Sequence, residues 1–249
     1  NLTSYIPTDD NVFFEYHLKK WLARSVKNAL EDNFFNKQCF VFVQEEQNSG
    51  KSSLCRFLCP PNLEKYIAEN ISDDKDGLIQ LCKNFIINLD EIDKIPKKHI
   101  EAYKSMFSRK SVNIRLPYAK NNSFQIRTSN FLGSTNLINF LKDETGNVRW
   151  ICIELIGRID FNYSKDIDIN KVWEQAFHLA YKDKSFNCDL DRSFSYCEDH
   201  LGISFPAKLS QKFPLKKTED IINFLNGFGN EEWFKDITVL FKVARAYLH

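Results

Sequence analysis

The chain has 249 residues, of which 43% are hydrophobic and 27% charged, and its formal net charge is +1 at pH 7. These proportions are typical of a soluble globular protein. No apolar run approaches the ~20 residues that span a bilayer, and no secretory signal peptide is present. The sequence therefore excludes membrane-spanning and secreted classes, and we expect a cytoplasmic protein with no membrane partner.

The seven cysteines are scattered, odd in number and without a C-x-x-C pair. This pattern indicates reduced thiols, and neither a disulfide framework nor a zinc site. The five histidines are equally scattered and predict no metal site. Because the chain opens on Asn1 and its single methionine is Met106, we expect a fragment of a longer polypeptide from which partner domains are missing.

An amphipathic helix is predicted at residues 11–32, ahead of the first strand. Its apolar side chains recur at steps of three and four, the spacing of one helical face. They are Phe14, Leu18, Trp21, Leu22, Val26, Ala29 and Leu30. Lysines and arginines of the same segment lie mostly on the other face, where we expect a solvated surface. Residues 1–36 are therefore assigned to an N-terminal helical segment.

The apolar run at residues 40–43 breaks into a polar loop, residues 44–50, and reopens as a helix. A strand that delivers a loop to a helix N-terminus binds phosphate well, because backbone N–H groups and the helix dipole meet there. Lys51 would reach the β- and γ-phosphates, and Ser52 would place its hydroxyl on Mg²⁺. The predicted nucleotide contacts are Gln47, Asn48, Ser49, Gly50, Lys51, Ser52 and Ser53. Glu45 replaces the first glycine of this pattern and would repel a triphosphate unless it points away.

A second apolar run, residues 85–89, ends in Asp90 and Glu91. Nearly continuous apolar strands are buried, and their carboxyl ends face the crevice where ligands bind in parallel sheets. Asp90 would hold Mg²⁺ together with Ser52, and Glu91 would deprotonate the attacking water. The alternative is that both acids begin a solvated loop. Their place after the phosphate-binding pattern favours an α/β nucleotide hydrolase, a P-loop NTPase with a central parallel sheet flanked by helices.

Positive charge is concentrated in residues 94–128, which contain nine lysines and arginines and one acid. This part of the chain predicts a basic hairpin at residues 111–131, with arms at 111–118 and 124–131 and Lys120 at its tip. Such a hairpin neutralises backbone phosphates and gives affinity that does not depend on sequence. Its predicted nucleic-acid contacts are Lys110, Arg115, Lys120 and Arg127. A solvated surface is the alternative explanation.

Two further side chains extend the predicted catalytic set. Asn136 follows the apolar run that starts at residue 130, where a neutral amide beside Glu91 would position the lytic water without adding charge. Arg149 opens a strand at residues 150–155. An arginine that reaches a neighbouring subunit's γ-phosphate stabilises the charge of the transition state. The alternatives are a turn-forming asparagine and a surface ion pair.

The order of these motifs resembles the virulence-associated E family. The resemblance rests on residues 47–52, 88–91, 115–118, 133–136 and 143–150 and covers about residues 5–180. That family is similar to superfamily 3 helicases, whose AAA+-like core carries a basic hairpin before the sensor strand and works as a ring. The resemblance implies an ATP- and Mg²⁺-dependent DNA helicase or translocase of phages and plasmids. It also implies single-stranded DNA as a partner, a homo-oligomeric ring such as a hexamer, and a primase as the missing N-terminal domain.

The resemblance also gives roles to individual residues. Lys51 and Ser52 match the Walker A pair, Asp90 and Glu91 match Walker B, Asn136 matches the sensor, and Arg149 matches the arginine of the D-E-T-G-N-x-R motif. Two positions depart from the family pattern: Glu45 replaces a glycine, and Val148 stands where many members have an arginine.

The ATPase core is predicted at residues 37–181, ending in a helix at 170–181, and a helical or winged-helix-like appendage at 182–249. Two other functions remain open from the sequence. One is a nucleotide-regulated or catalytically weak DNA-binding scaffold in which Glu45 has reduced turnover. The other is an NTPase that acts on protein, because fold alone does not fix the substrate.

Overall fold

A five-stranded parallel sheet forms the centre of the computed structural model, which describes residues 1–137 and 149–188. The strands run in the order β2–β3–β6–β1–β7 and every neighbouring pair is parallel. Their bounds are β1 Cys39–Val43, β2 Ile67–Glu69, β3 Ile86–Leu89, β6 Asn130–Thr135 and β7 Trp150–Glu154. The expectation of an α/β fold with a central parallel sheet is confirmed in this coarse form.

Helices connect the strands and cover the sheet. They are α1 Asn11–Leu30, α2 Lys51–Phe57, α3 Lys75–Lys83, α4 Lys97–Phe107, α5 Tyr163–Asp166 and α6 Ile169–Tyr181. Short 3-10 helices occur at Leu2–Tyr5, Pro61–Tyr66 and Ile92–Lys94. Asp74 caps α3 with its carboxylate, as the acceptor preference at helix N-termini leads one to expect. The helices predicted from periodicity at residues 11–32 and 170–181 are therefore present with slightly different ends.

The two faces of the sheet bury different clusters of apolar side chains, as a parallel sheet covered on both sides requires. On one face, Phe40 packs with Phe14 and Trp21 of α1. On the other face, Phe131 packs against Phe107 of α4, with ring centroids 4.4 Å apart. Trp21 also donates from Nε1 to the carbonyl oxygen of Phe131 at 3.2 Å. The N-terminal helix therefore packs on the same core as the sheet.

The solvated face expected for α1 is wrong at two positions. Lys20 and Arg24 are each only 3% exposed. Arg24 donates through Nε to Asn36 Oδ1 at 3.2 Å and through Nη1 to the carbonyl oxygen of Cys188 at 2.5 Å. The guanidinium is buried because backbone carbonyl groups and an amide supply acceptors that the sequence pattern does not reveal.

Strand register brings three loops to one edge of the sheet. Val43 is level with Thr135 on one side and with Glu154 on the other, and Leu89 is level with Gly133. The segments that follow β1, β3 and β6 therefore leave the sheet side by side. In open parallel sheets this carboxyl edge is where ligands bind.

A separate antiparallel hairpin is formed by β4 Ser111–Ile114 and β5 Ser123–Ile126. It is shorter than predicted, because the end of the expected second arm belongs to β6 of the main sheet. We keep the name basic hairpin for β4, β5 and the loop 115–122 between them.

The predictions about cysteines, membrane spans, the D-E-T-G-N-x-R motif and the C-terminal appendage fall only partly within the described residues. The six cysteines in the described ranges form no disulfide bond with one another. None of the helices in those ranges is long and apolar enough to cross a membrane. Residues 143–148 of the D-E-T-G-N-x-R motif, including Val148, and the appendage from residue 189 onward lie outside the described residues.

Candidate nucleotide-binding site and basic hairpin

The loop between β1 and α2, residues 44–50, turns sharply onto the helix. Its residues with positive φ are Asn48, at 60°, and Gly50, at 100°. Gly50 is the N-cap of α2, and a Cβ atom there would lie 2.9 Å from Cζ of Phe161. Glu45 does not have a positive φ, and its side chain is exposed. The backbone therefore requires glycine at position 50 but not at position 45.

Lys51 is the first residue of α2, and its ammonium group turns back over this loop. Its Nζ donates to four oxygen atoms at 3.0–3.1 Å, which are Gln44 O, Glu46 O, Ser49 Oγ and Asn136 Oδ1. An ammonium group has three N–H donors, so these four acceptors share them. Burial lowers the pKa of Lys51, while the carboxylates of Asp93 and Asp90 oppose that shift. A largely buried cation thus stands in a cage of oxygens at the carboxyl edge of the sheet.

Ser52 and Asp90 meet at the same edge. Ser52 Oγ donates to Asp90 Oδ1 at 2.6 Å, and the Ser134 hydroxyl donates to the same oxygen. Arg56 Nη2 lies 3.6 Å from the other carboxylate oxygen. Burial favours the neutral acid, but the hydrogen bonds from Ser134 and Ser52, together with the charge of Arg56 and the Glu91 N–H, outweigh it and hold the pKa of Asp90 below its ordinary value. The carboxylate is therefore kept ionised and fixed in position.

Glu91 adopts a strained backbone conformation directly after β3. Its φ and ψ are 53° and 52°, the left-handed region that non-glycine residues seldom occupy. Its N–H donates to Ser134 Oγ at 3.4 Å, and its half-exposed carboxylate accepts from Lys94 Nζ at 2.6 Å. Ile92, the residue after Glu91, packs against Gly133. A Cβ atom at position 133 would lie 2.5 Å from Cδ1 of Ile92, so this turn needs glycine there. Glu91 thus lies near the site, but its carboxylate is held by Lys94.

Asn136 follows β6 and joins Lys51 to a carboxylate that the sequence analysis missed. Asp93 Oδ1 accepts from the Asn136 backbone N–H at 3.1 Å and from Thr135 Oγ1 at 3.0 Å. Asn136 Oδ1 in turn accepts from Lys51. Asp93 had no signal of its own beyond its position three residues after Asp90. An acid in the loop after a strand cannot be distinguished from a solvated one until its partners on another strand are known.

The predicted magnesium pair fits the requirements of that ion. Mg²⁺ prefers oxygen ligands and is bound in most phosphate sites by one or two carboxylates together with substrate phosphates and water. A hydroxyl and an ionised carboxylate, Ser52 and Asp90, lie next to each other at the start of α2. Within the described ranges, no group of three or more His, Cys, Asp or Glu side chains is arranged to hold a metal without such phosphates.

The remaining predicted contacts of the β1–α2 loop differ in exposure. Gln47, Asn48 and Ser53 are exposed, whereas Ser49 is buried. Ser49 accepts at its carbonyl oxygen from the Ile159 N–H at 3.1 Å, so the segment after β7 buttresses the loop.

Arg149 is not brought to this edge within the chain. It immediately precedes β7, whose first residue Trp150 is level with Cys39 at the amino end of β1. At about 3.3 Å per residue, the five-residue strand separates it from the Lys51 edge by roughly 15 Å or more. Its Nε donates to Ser108 Oγ at 2.8 Å, just beyond the C-terminal end of α4. In this structure Arg149 therefore does not contact the Lys51 site of its own chain.

Three of the four predicted nucleic-acid contacts are exposed. Lys110, Arg115 and Lys120 lie at the base and in the loop of the basic hairpin, and Lys110 Nζ donates to Asn33 Oδ1 at 3.1 Å. Their charges are accessible from solvent, as a phosphate-binding surface requires.

The prediction that Arg127 contacts nucleic acid is wrong. Its side chain is completely buried and donates to the carbonyl oxygens of Met106 and Phe107 at 3.0 and 2.7 Å, and also to that of Asn36. Burial lowers its pKa to about 9. Two of the acceptors are the carbonyl groups of the last two residues of α4, the end of a helix where a cation is favoured. Arg127 is thus a structural residue that ties this helix end to the segment before β1.

One family model covers every residue that the structure describes. The model of the virulence-associated protein E-like domain matches residues 1–195. The chain belongs to the virulence-associated protein E-like family. The expected resemblance is confirmed at this level, while the more distant relation to superfamily 3 helicases stays a prediction. Residues 196–249 lie beyond the part of the chain that the virulence-associated protein E-like domain covers.

Two of the solved structures to which the chain is similar are of the NrS-1 C-terminal region. The apo structure of the NrS-1 C-terminal region (305–718) is 15% identical over 99% of this chain and 67% of that one, with a TM-score of 0.48. A second apo form of the NrS-1 C-terminal region is 17% identical over 95% of this chain and 62% of that one, with a TM-score of 0.47. This virulence-associated protein E-like chain thus spans about two thirds of those structures. No curated protein matches it.

Proposed function

We propose that this chain binds and hydrolyses ATP with Mg²⁺ and uses it to move along single-stranded DNA during replication of a mobile genetic element. The working form is a homo-oligomeric ring in the cytoplasm that operates with a primase domain. One observation carries the proposal: a network at the carboxyl edge of the sheet joins Lys51 to Asn136 and Ser52 to Asp90. Family membership supports the same reading.

Lys51 is positioned to bind a phosphate group. Its ammonium group is now shared among four neutral oxygens, each a weaker partner for a cation than an anionic phosphate oxygen. A triphosphate that enters the loop would replace some of these oxygens without moving the backbone, because Gly50 already has the conformation that begins α2. The exposed side chain of Glu45 is free to stay in solvent.

Ser52 and Asp90 would hold Mg²⁺ on the phosphate side of the loop. Bound there, the ion would neutralise charge on the β- and γ-phosphates. Asp90 is suited to this task because its hydroxyl partners already keep it ionised. Ser134 fixes the same carboxylate oxygen, so the position of Asp90 does not depend on Ser52 alone.

Glu91 is the proposed general base, and Asn136 orients the water beside it. The Glu91 carboxylate must leave Lys94 to do so, and both side chains are at least half exposed, so the ion pair is weak. The strained turn at Glu91 fits this role, since strain is concentrated at functional sites.

The test is ATP turnover by the purified chain with Mg²⁺, with and without single-stranded DNA. Wild type is expected to turn over ATP faster with DNA. Lys51→Ala should abolish nucleotide binding and turnover, and Glu91→Gln should abolish turnover while nucleotide affinity is kept. Turnover that is unchanged in Lys51→Ala would overturn the proposal.

A second candidate is a nucleotide-regulated DNA-binding scaffold with little turnover. The Glu91–Lys94 ion pair favours it, because a base held by a cation is less available. Lys94→Ala distinguishes the two functions. Turnover that rises in Lys94→Ala from a negligible wild-type value would support a scaffold restrained by this ion pair, whereas clear wild-type turnover that is similar in Lys94→Ala supports the motor.

A further inference from the structure

Tyr118 occupies a strained turn in the loop of the basic hairpin. The Ala119 N–H donates to the Leu116 carbonyl at 3.1 Å, which closes a four-residue turn with Pro117 second and Tyr118 third. The φ of Tyr118 is 65°, the sign that a type II turn needs at its third residue, where glycine is usual. The side chain is fully exposed, at 106%. No burial offsets the strain of placing a tyrosine there, which points to a role for the ring outside the fold.

Phe124 lies on the solvent side of the same hairpin. It pairs across the strands with exposed Asn113, and its own side chain is 67% exposed. The neighbouring residue on β4, Val112, is only 4% exposed. Because successive residues of a strand face opposite sides, the hairpin has one inward face and one open face, and Phe124 is on the open one.

Every charged residue in the stretch of sequence that carries both rings is basic. Residues 102–142 contain no aspartate or glutamate. Arg115 and Lys120 are exposed and lie in the same loop as Tyr118. A partner for this surface must offer flat π faces and negative charge together. Single-stranded DNA does so, whereas a duplex hides the faces of its bases in the stack.

We propose that Tyr118 and Phe124 are stacking platforms for the bases of single-stranded DNA, while Arg115 and Lys120 bind its phosphates. The inference rests on the proposed function, since it concerns the same DNA contact, and it adds the bases as a recognised group. Stacking on aromatic side chains tolerates any sequence, because every base has a π face. The hairpin therefore selects single strands over duplexes without reading sequence.

The experiment compares two oligonucleotides with the same number of phosphates, an oligothymidylate and an abasic strand. Affinities are measured by fluorescence anisotropy on the full chain with Mg²⁺ and a non-hydrolysable ATP analogue. The variants are Tyr118→Gly, which removes the ring and relieves the backbone strain, and Phe124→Thr, which keeps a β-forming residue. Tyr118→Phe is the matched control because it keeps the ring.

Wild type is expected to bind the oligothymidylate more tightly than the abasic strand. Tyr118→Gly and Phe124→Thr should each weaken oligothymidylate binding about tenfold and leave abasic binding unchanged. Tyr118→Phe should bind as wild type does. Lys120→Ala should weaken both complexes and reduce the salt slope by about one.

Three outcomes would overturn the inference. Equal wild-type affinity for the two strands would remove the stacking role and leave the proposed function standing. A loss of affinity for both strands in Tyr118→Gly would show that the turn acts through hairpin shape. Failure of wild type to bind either strand would overturn the proposed function together with the inference. Thermal unfolding of each variant separates these results from misfolding, and Tyr118→Gly is expected to be at least as stable as wild type.

Discussion

Gly50 and Gly157 lie in neighbouring segments but differ in what a side chain would meet. Gly50 has a φ of 100°, and an added Cβ would lie 2.9 Å from Phe161. At Gly157 the nearest atom, Cγ of Pro7, would be at 3.5 Å, an ordinary contact. We expect Gly50→Ala to lower the free energy of unfolding by about 1 kcal/mol or more and to weaken nucleotide binding, because alanine is strained at this positive φ.

Gly157→Ala serves as the matched control. Its unfolding free energy and nucleotide affinity should stay close to those of wild type. Urea denaturation measures the first quantity and titration with a fluorescent ATP analogue the second. Equal losses in the two variants would contradict a special requirement for glycine at position 50.

Asp90 makes the free energy of unfolding of the chain depend on pH. Its pKa in the folded chain lies below the ordinary value of 3.8, because burial is outweighed by the hydrogen bonds from Ser134 and Ser52 together with the charge of Arg56 and the Glu91 N–H. A depressed carboxylate pKa stabilises the fold above the unfolded pKa, and this contribution is lost as pH falls through the folded pKa. The difference in unfolding free energy between wild type and Asp90→Asn should be constant above about pH 5 and shrink below about pH 4.

Urea denaturation at several pH values measures this difference. Ser134→Ala should reduce the loss of this free-energy difference below about pH 4, since it removes one of the hydrogen bonds that favour the ionised form. A difference between wild type and Asp90→Asn that does not vary with pH would contradict the account of Asp90.

At the scale of single elements, the C-terminal end of α4 depends on Arg127. The guanidinium donates to the carbonyl oxygens of Met106 and Phe107 and to that of Asn36, and it is fully buried. Arg127→Met removes these donors from buried acceptors and should lower the unfolding free energy by about 3 kcal/mol. The salt slope of DNA binding should not change, because the charge is not accessible to phosphate.

Lys120→Ala is the counterpart, because Lys120 is exposed in the hairpin loop. It should change stability by no more than about 0.5 kcal/mol while reducing the salt slope. Urea denaturation and anisotropy at several salt concentrations separate the two residues. A reduced salt slope in folded Arg127→Met would restore Arg127 to the nucleic-acid surface.

The contrast between these two residues shows what the sequence can predict about elements. Continuous apolar runs predict β1, β3 and β6, since a parallel sheet covered on both faces has no polar alternation. The three-residue edge strand β2 gives no such signal. Arg127 and Lys120 are both basic residues in one basic segment, and only the carbonyl acceptors at the end of α4 and at Asn36 distinguish the buried residue from the exposed one. Asp93 was missed for the same reason, because its partners lie on another strand.

At the scale of the whole molecule, Arg149 and Lys51 lie at opposite edges of one sheet. The register that places Trp150 beside Cys39 puts Arg149 at the amino edge, away from the loop that follows Val43. An arginine so placed can serve a phosphate site only on another subunit. A head-to-tail ring would bring the Arg149 edge of one chain to the Lys51 edge of the next.

Mixing two inactive variants tests this arrangement. Lys51→Ala lacks a working site but keeps Arg149, and Arg149→Ala has the reverse defect. If Arg149 acts on the next subunit, one interface in four of a randomly mixed ring contains both intact residues, so a 1:1 mixture should recover about a quarter of wild-type ATP turnover. Neither variant alone should recover this ATP turnover. If Arg149 acts within its own chain, or only stabilises the Ser108 contact, the mixture will show no more turnover than the average of the two variants measured separately.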